Sequence, residues 1–188
     1  MPASQNRSNC AFRCGLLHLA TKPTAKSGLK RKASMDRLKI GGIMQRVNLS
    51  SLMISSISRE GDIGLIFRRL AQNRINIEFI NQIPLKNDYR NVILCVDSKD
   101  MYFTLGLLEE IKPAMQAQEI FPLAKVGMLS IFPHRERPLI PGTIIQTLSA
   151  AHIPLLAMGS SISAICCVIN EEKVPEALKL LSRKFGLS

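Results

Sequence analysis

Between residues 61 and 82 the chain reads GDIGLIFRRLAQNRINIEFINQ, and the period of its apolar positions changes within that stretch. Ile63, Ile66, Phe67 and Leu70 fall at i, i+3, i+4 and i+7, the stripe of an amphipathic helix, with Arg68, Arg69 and Gln72 on the wet side. A glycine-bracketed turn opens the helix, and INIEFINQ after it alternates as a strand does. The same succession returns at residues 139 to 160, LIPGTIIQTLSAAHIPLLAMGS. At an offset of 78 residues Gly64 falls on Gly142, Ile66 on Ile144, Phe67 on Ile145, Leu70 on Leu148 and Ile75 on Ile153. The chain is written twice.

Each copy has a strand-like run ahead of its helix, LSSLMISSI at 49 to 57 and VGMLSIF at 126 to 132. Each also has an apolar strand run behind it, VILCV at 92 to 96 and AICCV at 164 to 168, followed by a second helix. Met101, Leu105, Leu108 and Ile111 form the stripe of one second helix, and Val174, Leu178, Leu181 and Phe185 that of the other. Asp97 or Asp100 and Asn170 are placed as N-caps. The order strand, helix, strand, strand, helix, strand, given twice, predicts an α+β protein of two ferredoxin-like βαββαβ units. Each unit has an antiparallel sheet with both helices on one face. Residues 1–38 form a basic N-terminal extension expected to be disordered, 39–122 the first unit with a leading extra strand, and 123–188 the second. The second copy stops at RKFGLS without a fourth strand, whereas KIGGIMQRV at 39 to 47 is spare. Placed on the vacant edge of the second unit, that leading strand would intertwine the two. Units this small are near the lower limit of independent stability, so pairing of the sheets or of chains is expected.

The formal net charge of +11 invites a nucleic-acid or membrane partner only if it belongs to a folded face. It does not. Residues 1 to 40 hold nine Lys or Arg against one acid, Asp36, while the remainder holds sixteen basic and thirteen acidic residues. No apolar run approaches the roughly 20 residues of a membrane span, so no membrane partner is expected. A nucleic-acid partner is disfavoured because Tyr89 and Tyr102 are the only tyrosines and neither lies in a patterned strand. Five cysteines without regular spacing form no disulfide framework and suit a reducing, cytoplasmic setting. Cys95, Cys166 and Cys167 sit in strand runs as core candidates. Cys10, Cys14 and His18 give three metal donors, too few to close a tetrahedral site, so no metal is expected. No phosphate loop of the type GxxxxGK[ST] is present, and His18, His134 and His152 have no nucleophile beside them in sequence. No cofactor and no catalysis are expected.

IGGIMQRVNLSSLMISSI, GLIFRRLAQNRINIEFINQ, LAKVGMLSIF and CCVINEEKVPEALKLLSRKFGL together resemble the C-terminal regulatory region of aspartokinases, a tandem pair of ACT domains. The resemblance covers about residues 39 to 187 and implies the same ferredoxin-like fold. It implies an amino-acid-binding regulatory protein that senses lysine or threonine, forms a homodimer and acts on an aspartate-pathway enzyme. A stand-alone regulatory subunit of an aspartokinase is a close variant. An RNA-binding or purely structural dimerisation module is the alternative from another class. In the resembled family the ligand lies where the first turn of one ACT unit faces the second strand of another. Carried over residue by residue, that places Asp62, Ile63 and Gly64 in the turn and Asn76, Ile77 and Gln82 on the strand. The family's acid falls at Gly61, one position before Asp62. In the second copy Pro141 and Gly142 retain the turn, but Pro154 stands where asparagine is expected. Chemically, a glycine-opened helix N-terminus offers N–H donors to a ligand carboxylate, and amide and carboxylate oxygens take its ammonium.

Overall fold

The computed structural model describes residues 38–58, 61–132 and 138–187. The extension with Cys10, Cys14 and His18, and the loop histidine His134, lie outside them. The chain runs β1 (Leu38–Ile40), β2 (Gly42–Ile57), α1 (Gly64–Gln72), β3 (Phe79–Pro84), β4 (Arg90–Asp97), α2 (Met101–Met115), β5 (Glu119–Phe132), α3 (Leu139–Ala150), β6 (Leu155–Ser160), β7 (Ile165–Asn170), α4 (Val174–Lys184) and β8 (Phe185–Leu187). Among the described residues no helix is long and apolar enough to cross a membrane.

Six strands form one antiparallel sheet in the order β3-β4-β2-β5-β7-β6. Its centre is a pair of long strands, β2 with 16 residues and β5 with 14, and each serves both repeats. Leu49–Ser55 of β2 pairs with Glu119–Val126 of β5, and β4 and β3 extend this half. Gly42–Arg46 of β2 pairs with Met128–Phe132, and β7 and β6 extend the other half. The leading strand therefore supplies the fourth strand of the second βαββαβ order, and the two units are intertwined. After α4 the chain closes with β8, which pairs in parallel with β1 and stays out of the main sheet.

The changeover along β2 falls at Asn48, whose φ of 60° bulges the strand where its register against β5 shifts. Asparagine tolerates this left-handed backbone better than most residues. The bulge withdraws the Asn48 N–H from the ladder, and the Glu171 carboxylate accepts it at 3.2 Å.

Alternation fixes which face each residue takes. Leu52 and Ile54, on the face of Ser50, pack with Ile66, Leu70, Met101, Leu108 and Met115 under α1 and α2. Lys125 is the cross-strand partner of Ser50, so Gly127, Leu129 and Ile131 of β5 share that face. There Leu129 and Ile131 pack with Ile140, Ile144, Leu148, Val174 and Leu181 under α3 and α4. Both helix pairs thus lie on one face. Fully burying each such side chain is worth about 1.5–3 kcal/mol. The other face holds a third cluster, Leu49, Cys95, Val126, Met128, Ala157 and Val168, with Phe79 against it. Phe79 of β3 and Ala157 of β6 come from opposite ends of the strand order, so the sheet bends around this cluster. A Cβ at Gly159 would stand 3.3 Å from the Phe79 ring.

Three features differ from the periodicity, and one is that Phe185, expected on the stripe of α4, opens β8 after the helix ends at Lys184. Phe67 is 47% exposed, as is its counterpart Ile145 at 45%, because each stands beside the buried line of its helix, Ile66 and Leu70 in α1 and Ile144 and Leu148 in α3. The first copy's second strand begins at Phe79, not within Asn76–Ile77. Arg74, at φ 57°, ends the helix, and Ile75 donates its N–H back to Leu70 O at 3.0 Å.

Candidate functional site

The turn ahead of α1 is built by packing. A Cβ at Gly61 would sit 1.9 Å from the Met115 carbonyl oxygen, so this position excludes any side chain and the acid moves to Asp62. Asp62 Oδ1 accepts the Gly64 N–H at 2.7 Å, and Oδ2 is paired with the Arg68 guanidinium one turn on. Hydrogen bonding from Arg68, with the Gly64 N–H adding to it, holds the exposed Asp62 carboxyl below its ordinary range. The helix N-terminus is thus already occupied by a carboxylate, where an open anion site was expected. The turn therefore presents to solvent an Asp62–Arg68 ion pair, whose carboxylate is already engaged through both oxygens. Ile63 packs against the core under α1 and α2.

Asn76, Ile77 and Gln82 lie beyond the other end of α1 or along β3. Asn76 is exposed, and its Nδ2 donates to Glu78 Oε1 at 3.0 Å. Ile77 packs into the core beneath α1 and α2. Gln82 is exposed on β3 opposite Val92. The nine residues of α1 separate Gly64 from the Asn76 end by about 14 Å at 1.5 Å per residue. One chain therefore does not bring the turn and Asn76 together. β3 stands at the end of the strand order, so its outer N–H and C=O groups face away from the sheet, as on any edge strand.

In the second copy Pro141 and Gly142 lie inside the first turn of α3, which starts at Leu139. The turn expected from them is replaced by helix, since proline fits a first helical turn where its missing N–H has no partner to lose. Thr143 Oγ1 donates to Leu139 O at 2.8 Å and closes that turn. The capping expectations hold in one case: Asp97 Oδ1 accepts the Lys99 N–H at 3.1 Å, whereas Asp100 and Asn170 make no side-chain cap bond. Burial pushes the Cys95 and Cys167 thiols up to about 12, the neighbouring Cys166 adding to it at Cys167, so neither is a nucleophile at neutral pH.

A cleft of about 500 Å³, lined by Ser50, Ser98, Met101, Tyr102, Leu105 and residues 122–125, opens beside the start of α2. A second, of about 400 Å³, adjoins it through Lys125 and is lined by Asn170, Glu171, Glu172 and Pro175. Sequence reasoning missed both, because they depend on which residues the β2–β5 register sets side by side.

Two intertwined βαββαβ units, with both helix pairs on one face of a shared sheet, give the chain the fold of a tandem pair of ACT domains. No protein-family model matches the chain. It is 27% identical over 201 aligned residues to an aspartokinase of Bacillus sp. (strain MGA3), an alignment that takes in 93% of this chain and 47% of the relative. The chain therefore spans about half the length of that relative, and the alignment extends well ahead of Leu38. The regulatory subunit of aspartate kinase from Thermus thermophilus, in its ligand-free form, superposes with a TM-score of 0.71 at 17% identity, over 78% of this chain and 99% of that one. Aspartokinase III of E. coli, in complex with lysine and aspartate, superposes with a TM-score of 0.55 at 19% identity, over 80% of this chain and 34% of that one. In fold, this chain is similar to the regulatory regions of aspartokinases across most of its length.

Proposed function

We propose that this chain is a non-catalytic regulatory module that binds an α-amino acid, lysine or threonine, between two copies of itself and transmits that binding to an aspartate-pathway enzyme. Residues 39–122 and 123–188 act as its two ACT units, and the extension before them takes no part in binding. The observation that carries the reading is the separation of Asp62–Gly64 from Asn76 by the length of α1. The set becomes a site only when the turn of one copy meets the β3 edge of another. Asp62 takes the ligand ammonium, and Ile63 and Gly64 shape the turn. Asn76, Gln82 and the outer N–H groups of β3 from the second copy take the carboxylate, with Ile77 supporting that strand from the core. Pro141 and Gly142 mark the corresponding end of the second unit. The lysine complex of E. coli aspartokinase III supports lysine as a first candidate. Free thiols at Cys95, Cys166 and Cys167 suit a reducing, cytoplasmic setting.

The test is a thermal-shift screen of the purified chain against the twenty amino acids, with mass measured in solution. A binder at a hundred times its dissociation constant adds about 2.7 kcal/mol to stability. Lysine or threonine is expected to raise the melting temperature and shift the chain toward a dimer. A screen in which no amino acid does either refutes the reading.

A further inference from the structure

Ser50 and Lys125 face each other at the middle of the β2–β5 pair, on the face that carries all four helices. Two clefts that meet at Lys125 form a seam running from the start of α2 to the start of α4. Gly127 lets α4 down onto the sheet on one side, since a Cβ there would stand 2.4 Å from Val174 Cγ2. The start of α2 bounds the other side. Lys125 rises from the floor of this seam, is exposed, and makes no ion pair among the described residues. It is the one residue common to the linings of the 500 Å³ and 400 Å³ clefts.

The two sides of Lys125 differ in chemistry. Toward α2 the wall is apolar, from Met101, Leu105, Pro122 and Leu123, and Leu123 is 45% exposed. Ser50, only 6% exposed, bonds its hydroxyl to that of Ser98 at 2.9 Å in the same cleft. Two hydroxyls carry two donor hydrogens and their mutual bond uses one, so the pair keeps one donor for a ligand. Toward α4 the wall is acidic, from Glu171 and Glu172. Glu171 already accepts the Asn48 N–H, which leaves Glu172 for a ligand. A free cation, a spare hydroxyl donor, an apolar trough and the Glu172 carboxylate within one seam of ligand-sized volume match the parts of a single molecule.

We propose that this seam is a second amino-acid site, for an α-amino acid with an apolar side chain of about leucine size. Lys125 and the Ser50–Ser98 pair hold the carboxylate, Glu172 takes the α-ammonium, and the side chain lies against Met101, Leu105 and Leu123. The site is contained in one chain and does not depend on the Asn76 reading.

Calorimetric titration of the full chain with leucine tests it, beside 4-methylpentanoate, which lacks the ammonium, and 3-methylbutylamine, which lacks the carboxylate. Leucine is expected to bind, and each analogue to bind at least about tenfold more weakly, the loss of one charge-assisted contact. Lys125→Met, at an exposed position, is expected to keep the parent melting temperature and lose leucine affinity by at least about tenfold. Ser98→Ala is expected to weaken it by a smaller factor, and Asn76→Ala to leave it unchanged. No leucine heat at millimolar concentration overturns the proposal. So does binding that survives Lys125→Met, or binding lost in Asn76→Ala.

Discussion

Arg46 Nη2 donates to Glu78 Oε1 at 2.7 Å, and the same oxygen accepts the Asn76 amide at 3.0 Å. Arg46 stands on the part of β2 that completes the second repeat, whereas Glu78 leads into β3 of the first. The contact therefore fastens the proposed recognition strand of one unit to the exchanged strand of the other. The Glu78 side chain is 14% exposed and that of Arg46 is 49%, so solvent screens the pair only in part.

Removing Arg46 leaves Glu78 with the Asn76 amide alone. Arg46→Met is expected to lower stability by about 1 kcal/mol, near the upper end for pairs that solvent still reaches. That corresponds to about 2–4 °C in melting temperature for a domain of this size. A double-mutant cycle of Arg46→Met with Glu78→Gln in urea is expected to give a favourable coupling. Strict additivity would contradict the link between the repeats.

Gly127 is the seat of α4. A Cβ at this position would meet Val174 Cγ2 at 2.4 Å and the Arg46 carbonyl oxygen at 3.2 Å, so Gly127→Ala has no room without moving the helix. A loss of about 1–3 kcal/mol is expected, the usual cost of overpacking, read as a lower urea midpoint. The corresponding change at Gly106, where a Cβ meets nothing within 4 Å, is expected to be neutral or stabilising. Equal effects at the two positions would contradict the packing described.

The buried thiols give stability a defined alkaline limit. Cys95 and Cys167 are raised from 9.0 to about 12 by burial. Above pH 9 the unfolded chain releases protons that the folded chain keeps. Their contribution is therefore complete below that pH and is lost as pH rises toward 12, by up to about 1.4 kcal/mol per pH unit for each thiol. Urea midpoints across this range are expected to fall less steeply in Cys95→Ala than in the parent. An unchanged slope would place the Cys95 thiol in contact with water.

Much of the fold is legible in the sequence because each repeat shows itself in period: Ile66, Leu70, Ile144 and Leu148 are all buried where the 78-residue offset aligns them. The exchange of the leading strand is legible too, since the first copy has one strand to spare and the second lacks one. Phe67 departs from its stripe because periodicity sets the direction of a side chain and not how far the neighbouring element extends to cover it. The turn chemistry is hidden for a related reason. That Gly61 lies against the Met115 carbonyl, and that Asp62 therefore caps its own helix, is set by residues more than fifty positions apart. Pro141 and Gly142 read as a turn in isolation, yet the same pair serves as a first helical turn.

In the proposed function Asn76, and not its counterpart in the second repeat, recognises an amino acid. The decisive experiment is titration calorimetry of the parent, Asn76→Ala and Pro154→Ala with lysine and with threonine. Asn76→Ala removes one or two polar contacts worth about 0.5–1.5 kcal/mol each, so affinity is expected to fall about tenfold while the unliganded melting temperature changes by only a few degrees. Pro154→Ala is expected to bind as the parent does. Equal affinity in Asn76→Ala and the parent, or no binding of either amino acid to the parent, would contradict the account.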